Sequence, residues 1–189
     1  NRGEIALRIL RACKELGIQT VAIHSQADAN AMHVRLADES VCVGPNSARD
    51  SYLNIPSILA ACEITGAEAV HPGYGFLSEN ARFARILEEH KIAFIGPSAH
   101  HIEIMGDKIQ AKKTALELGI PCVPGSAGAV TTEAEARTTA AEIGYPVLIK
   151  AAAGGGGRGM KVAKTEAELS IAFSTARTEA KAAFGDDAV

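Results

Sequence analysis

Between residues 5 and 95 the sequence alternates helical spacing with short apolar runs, a pattern that commits a chain to a parallel sheet wound by helices. Ile5, Ile9, Leu10, Cys13 and Leu16 recur at helical spacing and stop at Gly17, and Thr20-Val21-Ala22-Ile23 then reads as a short buried strand. The alternation repeats. Val41-Cys42-Val43 reads as strand, Ile55 to Ile64 as helix, Ala69-Val70 as strand, Ser78 to His90 as a helix capped by Ser78, and Ile92-Ala93-Phe94-Ile95 as strand. The fold class expected is α/β, with a doubly wound parallel sheet. Because the first helix has no strand before it, this reading expects one upstream of Asn1, with Asn1-Arg2-Gly3 as the turn that follows it.

After Gly96-Pro97 the character changes. Ile102 to Leu118 is helical without an intervening strand and breaks at Gly119, Pro121 and Pro124, which places a domain boundary near residues 96–106. Asp107 and Gln110 form a capping pair inside that stretch, and Thr132 with Glu135 and Thr165 with Glu168 read as capping boxes. Between the helices that these boxes open, Pro146-Val147-Leu148-Ile149-Lys150 is a strand, a glycine-rich stretch follows, and Met160-Lys161-Val162 returns as a strand. This is a small α+β unit.

With 47% hydrophobic and 22% charged residues and no run apolar enough to span a bilayer, neither a disordered chain nor a membrane protein is expected. The 19 basic and 22 acidic residues give a net charge of −3, which removes the electrostatic footprint of a general nucleic-acid binder, so any anionic ligand must be held locally. The four cysteines, Cys13, Cys42, Cys62 and Cys122, are widely spaced, lie in apolar runs or beside prolines, and suit core positions in a reducing cytoplasm.

The loudest local signal is Gly154-Gly155-Gly156-Gly157-Arg158-Gly159. Without Cβ atoms, successive backbone N–H groups can approach an anion closely, and phosphate is the usual guest. A Walker A loop or a Rossmann fingerprint would open a helix, whereas this run returns to a strand; a β-hairpin lid over phosphates fits better than a linker. Lys150 closes an apolar strand at one lip of that hairpin, which favours a phosphate clamp over a solvated strand end. Lys108, at a helix start, is by itself an ordinary surface lysine. His71-Pro72-Gly73-Tyr74-Gly75-Phe76-Leu77-Ser78-Glu79-Asn80 follows a strand whose carboxyl end would line a ligand crevice in an open parallel sheet, although Pro-Gly-x-Gly serves a plain turn equally well. The scattered histidines do not make a metal site.

Taken together, Asn1-Arg2-Gly3-Glu4-Ile5-Ala6, Tyr52-Leu53-Asn54-Ile55-Pro56, the His71 to Asn80 segment, Met105-Gly106-Asp107-Lys108, Pro121-Cys122-Val123-Pro124-Gly125 and Lys150 to Met160 resemble the amino-terminal portion of the biotin carboxylases, the ATP-grasp subunit or domain of biotin-dependent carboxylases. The resemblance is strongest to the bacterial acetyl-CoA carboxylase subunit. It implies a Rossmann-like pre-ATP-grasp domain over residues 1–103 with its first strand missing. Over residues 104–189 it implies linker helices and part of the ATP-grasp lid.

The implied reaction uses ATP and bicarbonate to carboxylate biotin on a biotin carboxyl carrier protein, with Mg2+ or Mn2+ bridging the phosphates and a carboxyltransferase completing the pathway toward fatty acids. By the same resemblance Lys108 and Lys150 grip nucleotide phosphates, Gly156 and Gly157 donate backbone N–H groups, and Met160 touches the adenine. Tyr74 and Glu79 face the substrate crevice, and Arg11 and Glu15 lie at a homodimer interface. No catalytic or metal-binding residue is expected within these 189 residues, and a chain of this extent is expected to be inactive alone. Ala153 stands where relatives carry a further glycine. The rival readings are an ATP-grasp ligase with another acceptor, as in carbamoyl-phosphate or purine biosynthesis, the biotin carboxylase domain of a pyruvate or propionyl-CoA carboxylase, and a non-catalytic nucleotide-binding module.

Overall fold

The computed structural model describes residues 1–152 and 160–189. The chain folds as two compact units, Asn1–Glu103 and Ile104–Val189.

The first unit alternates helix and strand: α1 (Gly3–Glu15), β1 (Val21–Ser25), α2 (Met32–Leu36), β2 (Glu39–Gly44), α3 (Ile55–Thr65), β3 (Ala69–Val70), α4 (Ala81–Glu89) and β4 (Ala93–Phe94). The strands pair in parallel, β1 with β2 and β3 with β4, as two separate two-stranded ladders. Both contribute to one core. Ile58 and Cys62 of α3, Phe83 and Leu87 of α4, and Leu77 and Ile92 on either side of α4 are buried together, with Ile23 of β1, Val70 of β3 and Phe94 of β4 packed against them. Gly66, in the left-handed region, ends α3 where a side chain would be strained. At Gly44 the ladder register shifts, and a Cβ there would lie 2.2 Å from the Asp50 carbonyl oxygen.

Several of the sequence expectations shift. The cap of α4 is Asn80, whose side chain accepts from the Phe83 N–H at 2.9 Å; Ser78 instead donates its own N–H to the Gly75 carbonyl in the preceding turn. The short helix α2 carries no sequence signal strong enough to be seen, since five residues are too few for a period. Of the four cysteines expected in the core, only Cys62 is buried there; Cys13 and Cys122 are half-buried outside the core clusters, and Cys42 is exposed because it lies on the outward-pointing side of β2.

The expected single helix over 102–118 is two helices, α5 (Ala99–Gly106) and α6 (Lys108–Glu117). Asp107 separates them because its backbone is extended while its carboxylate accepts from the Gln110 N–H at 2.8 Å, a cap that ends one helix as it starts the next. In the second unit α7 (Glu133–Ile143) opens on the full capping box of Thr132 and Glu135. For α8 (Glu166–Phe184) the expected box is not made: the Thr165 side chain makes no capping bond, and Glu168 reaches past the cap to accept from the Lys164 N–H. Strands β5 (Val147–Lys150) and β6 (Met160–Ala163) pair antiparallel, Lys150 opposite Met160. Val147, Ile149 and Ala163 turn toward Ala136 and Ala140 of α7 and Leu169 and Phe173 of α8.

Candidate functional site

Period-two alternation decides what the hairpin presents to solvent. With Val147, Ile149 and Ala163 in the core, the opposite face carries Leu148, Lys150, Met160 and Val162, all of them exposed or half-buried. Leu148 faces Val162 and Lys150 faces Met160, so an apolar strip, more than half exposed at Leu148 and Val162, ends at an ammonium group. The exposed face of the hairpin thus joins apolar side chains to a single ammonium group.

Lys108 comes to the same end of the hairpin. Asp107 fixes the first turn of α6, and from there the Lys108 Nζ donates to the Ala152 carbonyl at 3.2 Å, two residues beyond Lys150. Ala152 is also held from the other side, its N–H donating to the Ala188 carbonyl at 2.9 Å. Arg177 of α8 secures that second tether by donating to the Thr131 carbonyl at 2.9 Å and pairing with Asp187. The residue at the root of the glycine run is thus pinned by two independent backbone contacts, and one of them brings an ammonium group with it. Local sequence makes Lys108 an ordinary surface lysine because the contact spans 44 positions. The glycine hairpin, including Gly156 and Gly157, lies outside the described residues.

In the first unit the segment from His71 to Asn80 is held at several points. The Asn1 Nδ2 donates to the Pro72 carbonyl at 2.9 Å and to the Tyr74 carbonyl at 2.7 Å, His71 Nδ1 accepts from the Gly73 N–H at 3.0 Å, and Leu77 is buried in the core. Tyr74 projects, 62% exposed, its hydroxyl 3.4 Å from Glu4 Oε2; Glu79 is exposed one residue before the α4 cap. Arg11 and Glu15 are exposed on α1.

A cluster that sequence reasoning missed adjoins this segment. Asp28 Oδ2 accepts from the Tyr52 hydroxyl at 2.6 Å, the Ser25 hydroxyl at 2.8 Å and the Arg2 Nη1 at 2.9 Å. Arg2 and Tyr52 lie 26 and 24 positions from Asp28, so no local spacing could reveal them. These donors, the Tyr52 hydroxyl foremost, hold the Asp28 carboxyl at about 2, below its ordinary 3.8. A folded value below the unfolded one means that the unfolded chain binds more protons between those pH values, so the stabilisation is complete above pH 3.8 and is lost as pH falls toward 2. The Asp28→Asn variant of the full-length protein is expected to be less stable than wild type by about 2 kcal/mol at pH 6, with the difference shrinking toward pH 2. Urea unfolding at both pH values measures this; a difference independent of pH would refute it.

Among the described residues no group of three His, Cys, Asp or Glu is placed to hold a metal, and no helix is long and apolar enough to cross a membrane.

A parallel α/β unit followed by a helix-backed antiparallel hairpin is the architecture that two family models match in succession. Residues 107–189 match the carbamoyl-phosphate synthase L chain ATP binding domain, and residues 1–102 match the biotin carboxylase N-terminal domain. The chain belongs to the biotin carboxylase family. It is 58% identical over its whole length to the biotin carboxylase of Haemophilus influenzae, of which it spans 42%. A biotin carboxylase–βγ-ATP complex from Campylobacter jejuni superposes with a TM-score of 0.91 at 50% identity, covering all of this chain and 42% of that one. The biotin carboxylase domain dimer of Hydrogenobacter thermophilus 2-oxoglutarate carboxylase, in complex with MgADP, ADP and bicarbonate, gives 0.88 at 52% identity, with 41% of that chain covered.

Proposed function

We propose that this chain supplies the nucleotide-gripping part of an enzyme that uses ATP and bicarbonate to carboxylate biotin on a carrier protein. The observation that carries the reading is the arrangement at the root of the hairpin. Lys108 is fastened to Ala152 two residues from Lys150, and Met160 lies opposite Lys150 on an apolar strip. Two ammonium groups and an apolar face fit a nucleoside polyphosphate: Lys150 and Lys108 take the phosphates, Met160 with Leu148 takes the base, and Gly156 and Gly157 donate backbone N–H groups. Mg2+ or Mn2+, when bound, would neutralise phosphate charge there; none of the described residues is assigned to the metal. Tyr74 and Glu79 face the acceptor, and Arg11 and Glu15, exposed on α1, contribute to a homodimer. A carboxyltransferase would receive the carboxylated carrier. The same residues serve whether the carboxyl group passes to acetyl-CoA, propionyl-CoA or pyruvate, because they grip the nucleotide and not the final acceptor.

The test is transfer of labelled bicarbonate to biotin by the full-length protein. Incorporation is expected only with ATP and Mg2+ present. A protein that binds ATP but labels no biotin would overturn the reading in favour of another ATP-dependent ligase or of a nucleotide-binding module.

A further inference from the structure

The loop from 71 to 80 is fastened to the rest of its unit through a stack of side chains centred on Arg2. Arg2 places its guanidinium 5.2 Å from the centre of the Tyr52 ring and 5.9 Å from that of Phe76, and the two rings stack at 5.3 Å with 9° between their planes. The same group ion-pairs with Asp28 at 2.9 Å. Tyr52 is buried and its hydroxyl oxygen accepts from the Ser25 N–H at 3.0 Å, so one side of the stack belongs to the rigid end of β1. The other side, Phe76, belongs to the loop, where it holds a left-handed backbone at φ 46° that a side chain adopts only when its surroundings enforce it. Next door, the Arg2 N–H donates to Asn1 Oδ1 at 3.0 Å, which orients the Asn1 amide toward the Pro72 and Tyr74 carbonyls. Gly73 leaves room for that amide: a Cβ would lie 2.9 Å from the Asn1 Cβ.

We propose that Arg2 is a positioning residue that, stacked on Tyr52 and Phe76 and paired with Asp28, holds the loop 71–80 in the one geometry in which Tyr74 and Glu79 meet the acceptor. The requirement is for arginine and not for positive charge alone. A planar guanidinium donates in its plane to a carboxylate while its face lies against aromatic rings, whereas an ammonium group is a hydrated point charge that can keep the ion pair but not the stack. Free of the stack, Phe76 has no reason to keep its left-handed backbone, and Tyr74, two residues earlier, moves with it. The part of this proposal that concerns the acceptor rests on the role given above to Tyr74.

The experiment uses the full-length protein and its Arg2→Lys variant, with amide hydrogen exchange and steady-state kinetics side by side. Exchange over residues 72–78 is expected to rise about tenfold in Arg2→Lys, while that of β5 and β6 stays as in wild type. The KM for biotin is expected to rise about fivefold or more with the KM for ATP within about twofold, a split that mere loss of folded enzyme cannot produce. Phe76→Leu, which leaves the Arg2–Asp28 pair in place, is expected to give the same two changes and stands in should Arg2→Lys not fold. Unchanged exchange over 72–78 in both variants overturns the proposal, and so does raised exchange with an unmoved KM for biotin. Failure of the functional reading itself is separate: the unaltered protein would then label no biotin, and the exchange over 72–78 would still decide whether Arg2 holds the loop.

Discussion

Lys150→Gln in the full-length protein is expected to raise the dissociation constant for ATP about tenfold to a hundredfold, because a charge-assisted bond to phosphate contributes about 1.5–3 kcal/mol. Lys150 ends β5 with its neighbour Ile149 in the core and its own side chain on the exposed face beside Met160, so the strand aims the ammonium group without burying it. Glutamine preserves the stem and can still donate a hydrogen bond, but it removes the charge. Exposure also makes the control sharp, since an exposed substitution of this kind should leave folding stability within about 0.5 kcal/mol of wild type. Lys108→Gln acts in the same direction on ATP but differs in kind, because Lys108 also donates to the Ala152 carbonyl and its loss loosens the root of the hairpin. Calorimetric titration with a non-hydrolysable ATP analogue and Mg2+ measures both. Equal affinity for wild type and Lys150→Gln would remove Lys150 from the phosphate site.

What the sequence revealed of this molecule follows the range of the interactions involved. The parallel α/β unit was legible because helical and extended periods are set within a few residues, and β3 falls on Ala69–Val70 as its apolar pair predicts. Caps were legible where one side chain reaches three residues ahead, as at Asp107 and Thr132, and misassigned at Ser78, where Asn80, two residues on, competes for the same role. Asp107 shows the limit from the other side: the capping pair was visible, yet the apolar spacing on either side of it still read as one helix. The site divides the same way. Lys150 stood out because it closes an apolar strand beside a glycine run and Met160 only through the family resemblance, while their place on one face follows from counting along two strands. Nothing local links Lys108 with Ala152, or Arg2 with Asp28, Tyr52 and Phe76; those contacts exist only once the core has brought distant segments together. The family resemblance marked Asn1-Arg2 and Tyr52 as distinctive without giving either a task, and what they touch is visible only in the structure.

Phe83→Ala in the full-length protein is expected to cost about 3–5 kcal/mol of folding stability, the range for removing a buried aromatic ring. Phe83 is 2% exposed in α4, meets Phe94 of β4 edge to face at 6.2 Å, and shares its cluster with Ile58, Cys62, Leu77, Leu87 and Ile92. Those neighbours come from α3, from α4 and from the segments on either side of α4, so the hole cannot be filled by the shift of one element, and the cost should lie toward the upper part of the range. Against a typical stability of about 5–15 kcal/mol, that is a large fraction of what holds a domain folded. Ile171→Ala, at a position 73% exposed on α8, removes an apolar side chain that faces water and should change stability by no more than about 0.5 kcal/mol, which separates loss of the core from loss of hydrophobicity in general. The effect should also reach the loop, because Leu77 anchors residues 71–80 in the same cluster, and Phe83 supplies the N–H that Asn80 caps. A substitution that keeps the backbone cap but empties the space beneath Leu77 should therefore speed amide exchange at residues 75–80 under native conditions, before any global unfolding is seen. Urea unfolding followed by circular dichroism gives the first quantity and exchange the second. A loss below about 1 kcal/mol would mean that the ring is not packed as described, since no well-filled core site releases a phenylalanine so cheaply.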